Sequence, residues 1–236
     1  MMNRPFVFIN VAMTADGKID TFERKGAAIS STKDKERVDK LRAESDAVLV
    51  GGRTLLDEDP KLTVKSESFR TERLARGLSA NPIKVGIATN AGIKPNSNFL
   101  NIGPARIVIF TTHQTSIEQI NSLRAHHVEV FVHETQRVDL RSALETLKKL
   151  GVNRLMVEGG GTMNFELLKL GLVDEITAYI APMIFGGTNA PTMADSLGVP
   201  REAALHLNLM DVEKWDDGGV ILKYKLMGEN HDDNYT

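Results

Sequence analysis

The chain has 236 residues, 42% hydrophobic and 25% charged, the proportions of a globular protein able to bury a full core. Its 29 basic and 31 acidic side chains leave a net charge of −2, which gives no general attraction to nucleic acid or to an anionic membrane, although a local basic pocket remains allowed. Lacking cysteine, the chain has no disulfide, thiol nucleophile, iron–sulfur cluster or cysteine-ligated zinc, and its six histidines form no H-E-x-x-H arrangement, so no metal site is expected.

From the first residue, Met1-Met2-Asn3-Arg4-Pro5 leads directly into a short apolar run rather than the longer core of a secretion signal. No run approaches the roughly twenty apolar residues that span a bilayer, and a cytoplasmic location is the expectation. Apolar, β-branched runs then recur at 6–11, 47–50, 83–88, 106–110, 128–132, 155–157, 176–180, 205–212 and 220–226, several too continuously apolar for a sheet buried on one side only. Between them, 33–44 reads as a helix behind Ser30-Ser31-Thr32, and Ser116-Ile117-Glu118-Gln119 is a capping-box pattern. Residues 139–150 place Leu140, Ala143, Leu144 and Leu147 on one helical face and stop at Gly151. Strands alternating with helices predict an α/β fold with a largely parallel sheet covered on both faces. After Ala190-Pro191-Thr192 the rhythm breaks, and 205–214 and 220–226, joined through Asp216-Asp217-Gly218-Gly219, predict a terminal antiparallel hairpin. One domain over 1–228 and a flexible polar tail at 229–236 complete the organisation.

The most informative stretch is 154–168, where an apolar run meets Glu158, then Gly159-Gly160-Gly161-Thr162-Met163 and a helix start. Glycines let a backbone approach a ligand closely, Thr162 is placed to cap the helix, and a helix start favours an anion, so a phosphorylated cofactor is the natural guest. A glycine cluster between strand and helix is equally an ordinary tight connection. The pattern G-x-G-x-x-G fails at Asn164, and nothing matches G-x-x-x-x-G-K-[ST].

Loops follow the first, second and sixth apolar runs, at 13–19, 51–63 and 158–164. Ligands of parallel sheets collect at strand carboxyl ends. If these loops converge there, they assemble Asn10, Asp16, Thr54, Asp59 and Glu158, with Arg42 and Lys65 able to reach a phosphate. Taken singly, Asp16-Gly17 is a hairpin turn, Asp59-Pro60 a turn starter and Arg42 a solvated helix residue.

Four ordered motifs carry more than these single residues: Asn10-Val11-Ala12-Met13-Thr14-Ala15-Asp16-Gly17-Lys18-Ile19; Val50-Gly51-Gly52-Arg53-Thr54-Leu55-Leu56-Asp57-Glu58-Asp59-Pro60-Lys61-Leu62-Thr63; Glu158-Gly159-Gly160-Gly161-Thr162; and Ile180-Ala181-Pro182-Met183-Ile184-Phe185-Gly186-Gly187. Together they resemble the riboflavin-biosynthesis reductases. The resemblance implies a dihydrofolate-reductase-like fold and NADPH-dependent reduction of a ribosylaminopyrimidine 5′-phosphate to its ribitylamino product. It implies cofactor contacts from Met13, Thr54, Glu58, Asp59, Gly159, Gly160, Gly161, Thr162 and Met163, and a substrate site lined by Asn10, Arg42, Leu62, Lys65 and Glu158. It also implies a homodimer.

Hydride can add to C1′ only after the ribose ring opens to an imine, so a proton must reach the ring oxygen; Glu158 and Asp16 are the candidates for that transfer. Arg42 and Lys65 would take the 5′-phosphate. Members of the resembled family that lack a fused cysteine-ligated zinc deaminase act before deamination, so the resemblance implies the diamino substrate rather than the deaminated one. A pterin or folate reductase and a catalytically silent NADP-binding protein are the rival readings.

Overall fold

The computed structural model describes residues 3–227; the expected tail at 229–236 lies outside them. The chain forms two compact units, Thr32–Gly160 with the described residues up to Phe6, and Val7–Ser31 with the chain from Gly161 on.

The first unit holds β2 (Ala47–Gly51), β3 (Ile83–Ile87), β4 (Ile107–Thr112), β5 (Glu129–His133) and β6 (Arg154–Val157), in the order β5-β4-β3-β2-β6. Each neighbouring pair is parallel. The continuously apolar run predicted a strand covered on both faces, and Ala47, Val48, Leu49 and Val50 are each 0% exposed. Burial of a valine or leucine side chain contributes about 1.5–3 kcal/mol, so this strand anchors the unit.

The helices of this unit are α1 (Thr32–Ala43), α2 (Glu67–Ala75), α3 (Asn98–Asn101), α4 (Ile117–Ala125) and α5 (Leu140–Lys149). α5 buries the four predicted residues, and the Asp139 carboxylate caps it by accepting from the N–H groups of Arg141 (2.9 Å) and Ser142 (3.2 Å). Ser116 caps α4 as predicted, its hydroxyl accepting from Gln119 N–H at 3.2 Å. α2 went unpredicted because it has no apolar stripe: its buried residue is Arg73, while Leu74 is 58% exposed.

The second unit holds β1 (Phe6–Thr14), α6 (Gly161–Lys169), β7 (Glu175–Ala181), β8 (Leu207–Lys214) and β9 (Val220–Leu226). Its strands run β1-β7-β9-β8, with β1 parallel to β7 and both pairs involving β9 antiparallel. The sheet is therefore mixed, and the predicted terminal hairpin is present, closed by Trp215 N–H on the Gly219 carbonyl (2.9 Å). The packing of this unit centres on Tyr179, Trp215, Ile221, Ala181 and Ile29. Among the described residues no helix is long and apolar enough to cross a membrane.

Candidate functional site

In the first unit two of the three predicted loops meet. Gly51 N–H donates to the Gly159 carbonyl (2.8 Å) and Glu158 N–H to the Leu49 carbonyl (3.0 Å), so the ends of β2 and β6 are laced together. β2 continues into a π-helical turn, Thr54–Glu58, a form that recurs at functional sites. Thr54 is 8% exposed and its hydroxyl donates to Glu58 Oε1 at 3.1 Å. A Cβ on Gly160 would lie 3.2 Å from the same hydroxyl, so the backbone there is held close to Thr54.

The other predicted cofactor residue of this loop has a second task. Asp59, at φ +47°, accepts from Asn98 N–H (2.7 Å) and Phe99 N–H (2.9 Å) and so starts α3. The opposite end of α3 is met by Lys84, fully buried, whose Nζ donates to the carbonyls of Phe99 (2.9 Å) and Ile102 (2.6 Å). Burial pushes the Lys84 amine down to about 8, with the Asp59 charge opposing that shift.

Four of the residues expected to bind substrate, Arg42, Leu62, Lys65 and Glu158, lie in the first unit around α1. Arg42 is not a solvated helix residue: its side chain is 16% exposed and that of Glu158 14%. Nε donates to Oε1 (2.6 Å) and Nη2 to Oε2 (2.7 Å), a fork matched to the carboxylate, while Nη1 reaches the Thr63 carbonyl (3.1 Å). Burial opposes the guanidinium charge, but the Glu158 carboxylate outweighs it and raises the Arg42 pKa above its ordinary value. Leu62, buried and at φ +48°, precedes Thr63; a left-handed leucine costs about 1–2 kcal/mol, and such strain concentrates at sites where the chain is forced into one path.

Asp39, one turn before Arg42, was missed. It is 6% exposed and accepts from the N–H groups of Lys65 (2.6 Å) and Ser66 (2.7 Å), fixing the backbone that carries the exposed Lys65 side chain. Its i, i+3 spacing with Arg42 on one helix was the available signal.

In the second unit, Asn10 and Met13 lie on β1 opposite Thr177 and Ile180 of β7. Asn10 is 7% exposed and its Oδ1 is buried with no hydrogen-bond partner among the described residues, an arrangement that is costly for a polar atom. Asp16 is exposed and accepts three hydrogen bonds: Oδ1 from the Thr14 hydroxyl (2.5 Å) and Phe185 N–H (3.3 Å), and Oδ2 from Gly186 N–H (2.7 Å). The Thr14 bond leads the causes that hold its carboxyl below the usual range, so Asp16 is an anion joining two of the quoted motifs.

Thr162 does not cap α6. The helix already begins at Gly161, which places Thr162 inside the first turn, exposed, with Met163 half-buried behind it. A Cβ on Gly161 would overlap the Thr192 carbonyl oxygen and lie 3.2 Å from both Asp195 N and Oδ2. The segment from Thr192 to Ser196 clasps this turn: Asp195 N–H donates to the Gly161 carbonyl (3.1 Å), Asn164 Nδ2 to the Met193 carbonyl (2.8 Å) and the Ser196 hydroxyl to Glu166 (3.1 Å). The Asp195 carboxylate accepts from Thr192 N–H (3.1 Å) and its hydroxyl (2.5 Å). No sequence motif announced this clasp.

The architecture is that of the dihydrofolate-reductase-like class. A solved pyrimidine reductase-like protein from Corynebacterium diphtheriae superposes with a TM-score of 0.79 at 21% identity, over 96% of this chain and 94% of that one. Within the class, residues 5–221 match the RibD C-terminal domain, and the chain belongs to that family. It is 42% identical over 192 residues to the 2,5-diamino-6-ribosylamino-4(3H)-pyrimidinone 5′-phosphate reductase of Archaeoglobus fulgidus, covering 81% of this chain and 87% of that protein. The reductase of the same name from Methanothermobacter thermautotrophicus is 42% identical over 207 residues, 87% of this chain and 91% of its own.

Proposed function

We propose that the chain is an NADPH-dependent reductase of the riboflavin pathway that converts the ribosylamino group of 2,5-diamino-6-ribosylamino-4(3H)-pyrimidinone 5′-phosphate to ribitylamino. One observation carries the reading: a carboxylate clamped by a buried arginine runs directly into a glycine turn, in a chain 42% identical to proteins named for that reaction. A Cβ on Gly160 would lie 3.2 Å from the Thr54 hydroxyl, so these two expected cofactor residues stand side by side, which supports the reading.

Bound there, the reduced nicotinamide supplies the hydride. Thr54, Glu58, Asp59, Gly159 and Gly160 of the first unit, and Met13, Gly161, Thr162 and Met163 of the second, form the cofactor set carried by the resemblance. Arg42 and Lys65 hold the 5′-phosphate, and Asn10, Leu62 and Glu158 line the sugar and base. Asn10, with a buried orphaned oxygen, suits a ligand that brings a hydrogen-bond donor.

The reading includes a cytoplasmic homodimer. Edge strand β8 exposes Leu209 (49%), Met210 (58%) and Val212 (53%), an apolar edge that a second copy would cover. The test is loss of NADPH absorbance with purified protein, offered the diamino and the deaminated phosphates in parallel with product analysis. Turnover of the diamino compound is expected; turnover of the deaminated one alone reverses the substrate order, and turnover of neither rejects the reading.

A further inference from the structure

Between the π-helical turn and α2, residues 59–66 belong to no helix or strand, so their backbone polar groups must find other partners. From the Thr63 carbonyl to the Ser66 N–H, every backbone group is met by a side chain. Arg42 Nη1 donates to the Thr63 carbonyl (3.1 Å), Asn81 Oδ1 accepts from Val64 N–H (2.9 Å) and Arg70 Nη1 donates to the Val64 carbonyl (3.0 Å). Asp39 Oδ1 then accepts from Lys65 N–H (2.6 Å), Arg70 Nη1 donates again to the Lys65 carbonyl (2.9 Å), and Asp39 Oδ2 accepts from Ser66 N–H (2.7 Å). Leu62 and Val64, each 1% exposed, are buried in this run, while Lys61 and Lys65 are exposed. The Lys65 peptide is thus gripped at its N–H by α1 and at its carbonyl by α2. Of the two cations assigned to the phosphate, Arg42 is already committed, with Nε and Nη2 on Glu158 and Nη1 on Thr63. Lys65 pairs with no carboxylate among the described residues. A lysine ammonium is a point charge on a flexible stem, so what localises it is the backbone from which it hangs.

We propose that Asp39 and Arg70 are positioning residues that fix the Lys65 peptide from its two sides, and that Lys65 so placed makes the protein select a phosphorylated substrate over the same compound without its phosphate. This rests on the reductase reading. Both residues act through Lys65. The Asp39 bonds are short and charge-assisted, and Asp39 is 6% exposed, so the carboxylate holds two consecutive N–H groups where water competes little. Releasing either side of the peptide lets the ammonium range over a wider arc. A phosphate is remote from the carbon that is reduced, so its contacts are lost equally from the ground state and the transition state, and the loss falls on KM rather than kcat.

The experiment is a double-mutant cycle in the full-length protein, read by steady-state kinetics with NADPH and either the diamino phosphate or its dephosphorylated counterpart. The variants are Asp39→Asn, Lys65→Met and the two combined. Asparagine keeps the size of the side chain but sets an NH₂ donor against one of the two backbone N–H groups. Asp39→Asn should raise KM for the phosphorylated compound about tenfold, with kcat held within about twofold. In the Lys65→Met background the same substitution should move KM by less than about twofold, and so should it with the unphosphorylated compound. A penalty as large in the Lys65→Met background, or as large on the unphosphorylated compound, overturns the proposal, because a merely structural role would produce it. A loss confined to kcat overturns it as well. Should Asp39→Asn fail to fold, Arg70→Gln, at a partly exposed side chain, runs the same cycle from the carbonyl side with the same deciding outcomes. No wild-type turnover of the pyrimidine fails the reductase reading and this assignment with it. Wild-type turnover with a KM indifferent to Asp39→Asn and Arg70→Gln fails this assignment alone.

Discussion

Replacing Gly161 by alanine sets two physical terms against each other. Alanine favours a helix over glycine by about 1 kcal/mol, and Gly161 opens α6. The added Cβ, however, would overlap the Thr192 carbonyl oxygen and stand 3.2 Å from Asp195 N and Oδ2; two of these three atoms are backbone, which cannot swing aside as a flexible side chain can. Overpacking of this kind costs about 1–3 kcal/mol, and for a chain of this size each kcal/mol moves Tm by about 2–4 °C. Net of the helix gain the loss is about 0–2 kcal/mol, so Gly161→Ala should lower Tm by up to about 8 °C. It should also weaken NADPH binding, because the clasp from Thr192 to Ser196 must shift. Gly92 is the control: it is exposed, has no left-handed φ, and its nearest atom to a new Cβ is Asn90 Oδ1 at 3.9 Å. Gly92→Ala should be neutral or stabilising by about 0.4–1 kcal/mol through the unfolded state. Differential scanning calorimetry of both variants, with NADPH titration, checks the pair. A Gly161→Ala protein as stable as Gly92→Ala would refute the steric argument.

Three further outcomes are expected. Lys84 has its folded pKa pushed from 10.5 to about 8, so the unfolded chain binds the proton first as pH falls. The penalty, about 3 kcal/mol, is full below pH 8 and relieved between pH 8 and 10.5. Urea denaturation should show the wild type gaining on Lys84→Met across that window, and parallel curves would contradict the buried amine. Arg73 is 3% exposed and donates to the carbonyls of Ala43 (2.7 Å), Ser45 (2.8 Å) and Ser79 (2.8 Å). Arg73→Met orphans all three, and a loss of about 3–5 kcal/mol in chemical denaturation is expected, against less than about 1 kcal/mol if the contacts are incidental. Thr192→Val removes the hydroxyl held by Asp195 at 2.5 Å and should raise KM for NADPH severalfold with kcat nearly unchanged; an unaltered KM would separate the clasp from the cofactor.

Elements whose burial follows a simple period were legible in the sequence. β2 is fully buried and reads as an unbroken apolar run, and α5 carries its core residues at helical spacing below an aspartate cap. α2 was not, because the group it buries is a guanidinium satisfied by three carbonyls, which no hydrophobic pattern records. The same holds at the candidate site. The Arg42–Glu158 pair joins residues 116 apart, and Asp39 reaches Lys65 across 26, so chemistry named Arg42, Glu158 and Lys65 while only the fold showed that Arg42 is bound to Glu158 and that Asp39 belongs beside them. The helix starts at Gly161 rather than after a cap at Thr162, and the Thr192 carbonyl stands where a side chain at Gly161 would lie, a contact between distant residues that no local pattern records.

The most direct test of the central claim is to run the reaction with NADPH carrying deuterium at the transferable C4 position and to locate the label in the product. The reductase reading predicts a ribitylaminopyrimidine phosphate bearing one deuterium at C1′, formed in step with oxidation of the cofactor. Product without deuterium at that carbon, or cofactor oxidation with no ribityl product, would contradict it.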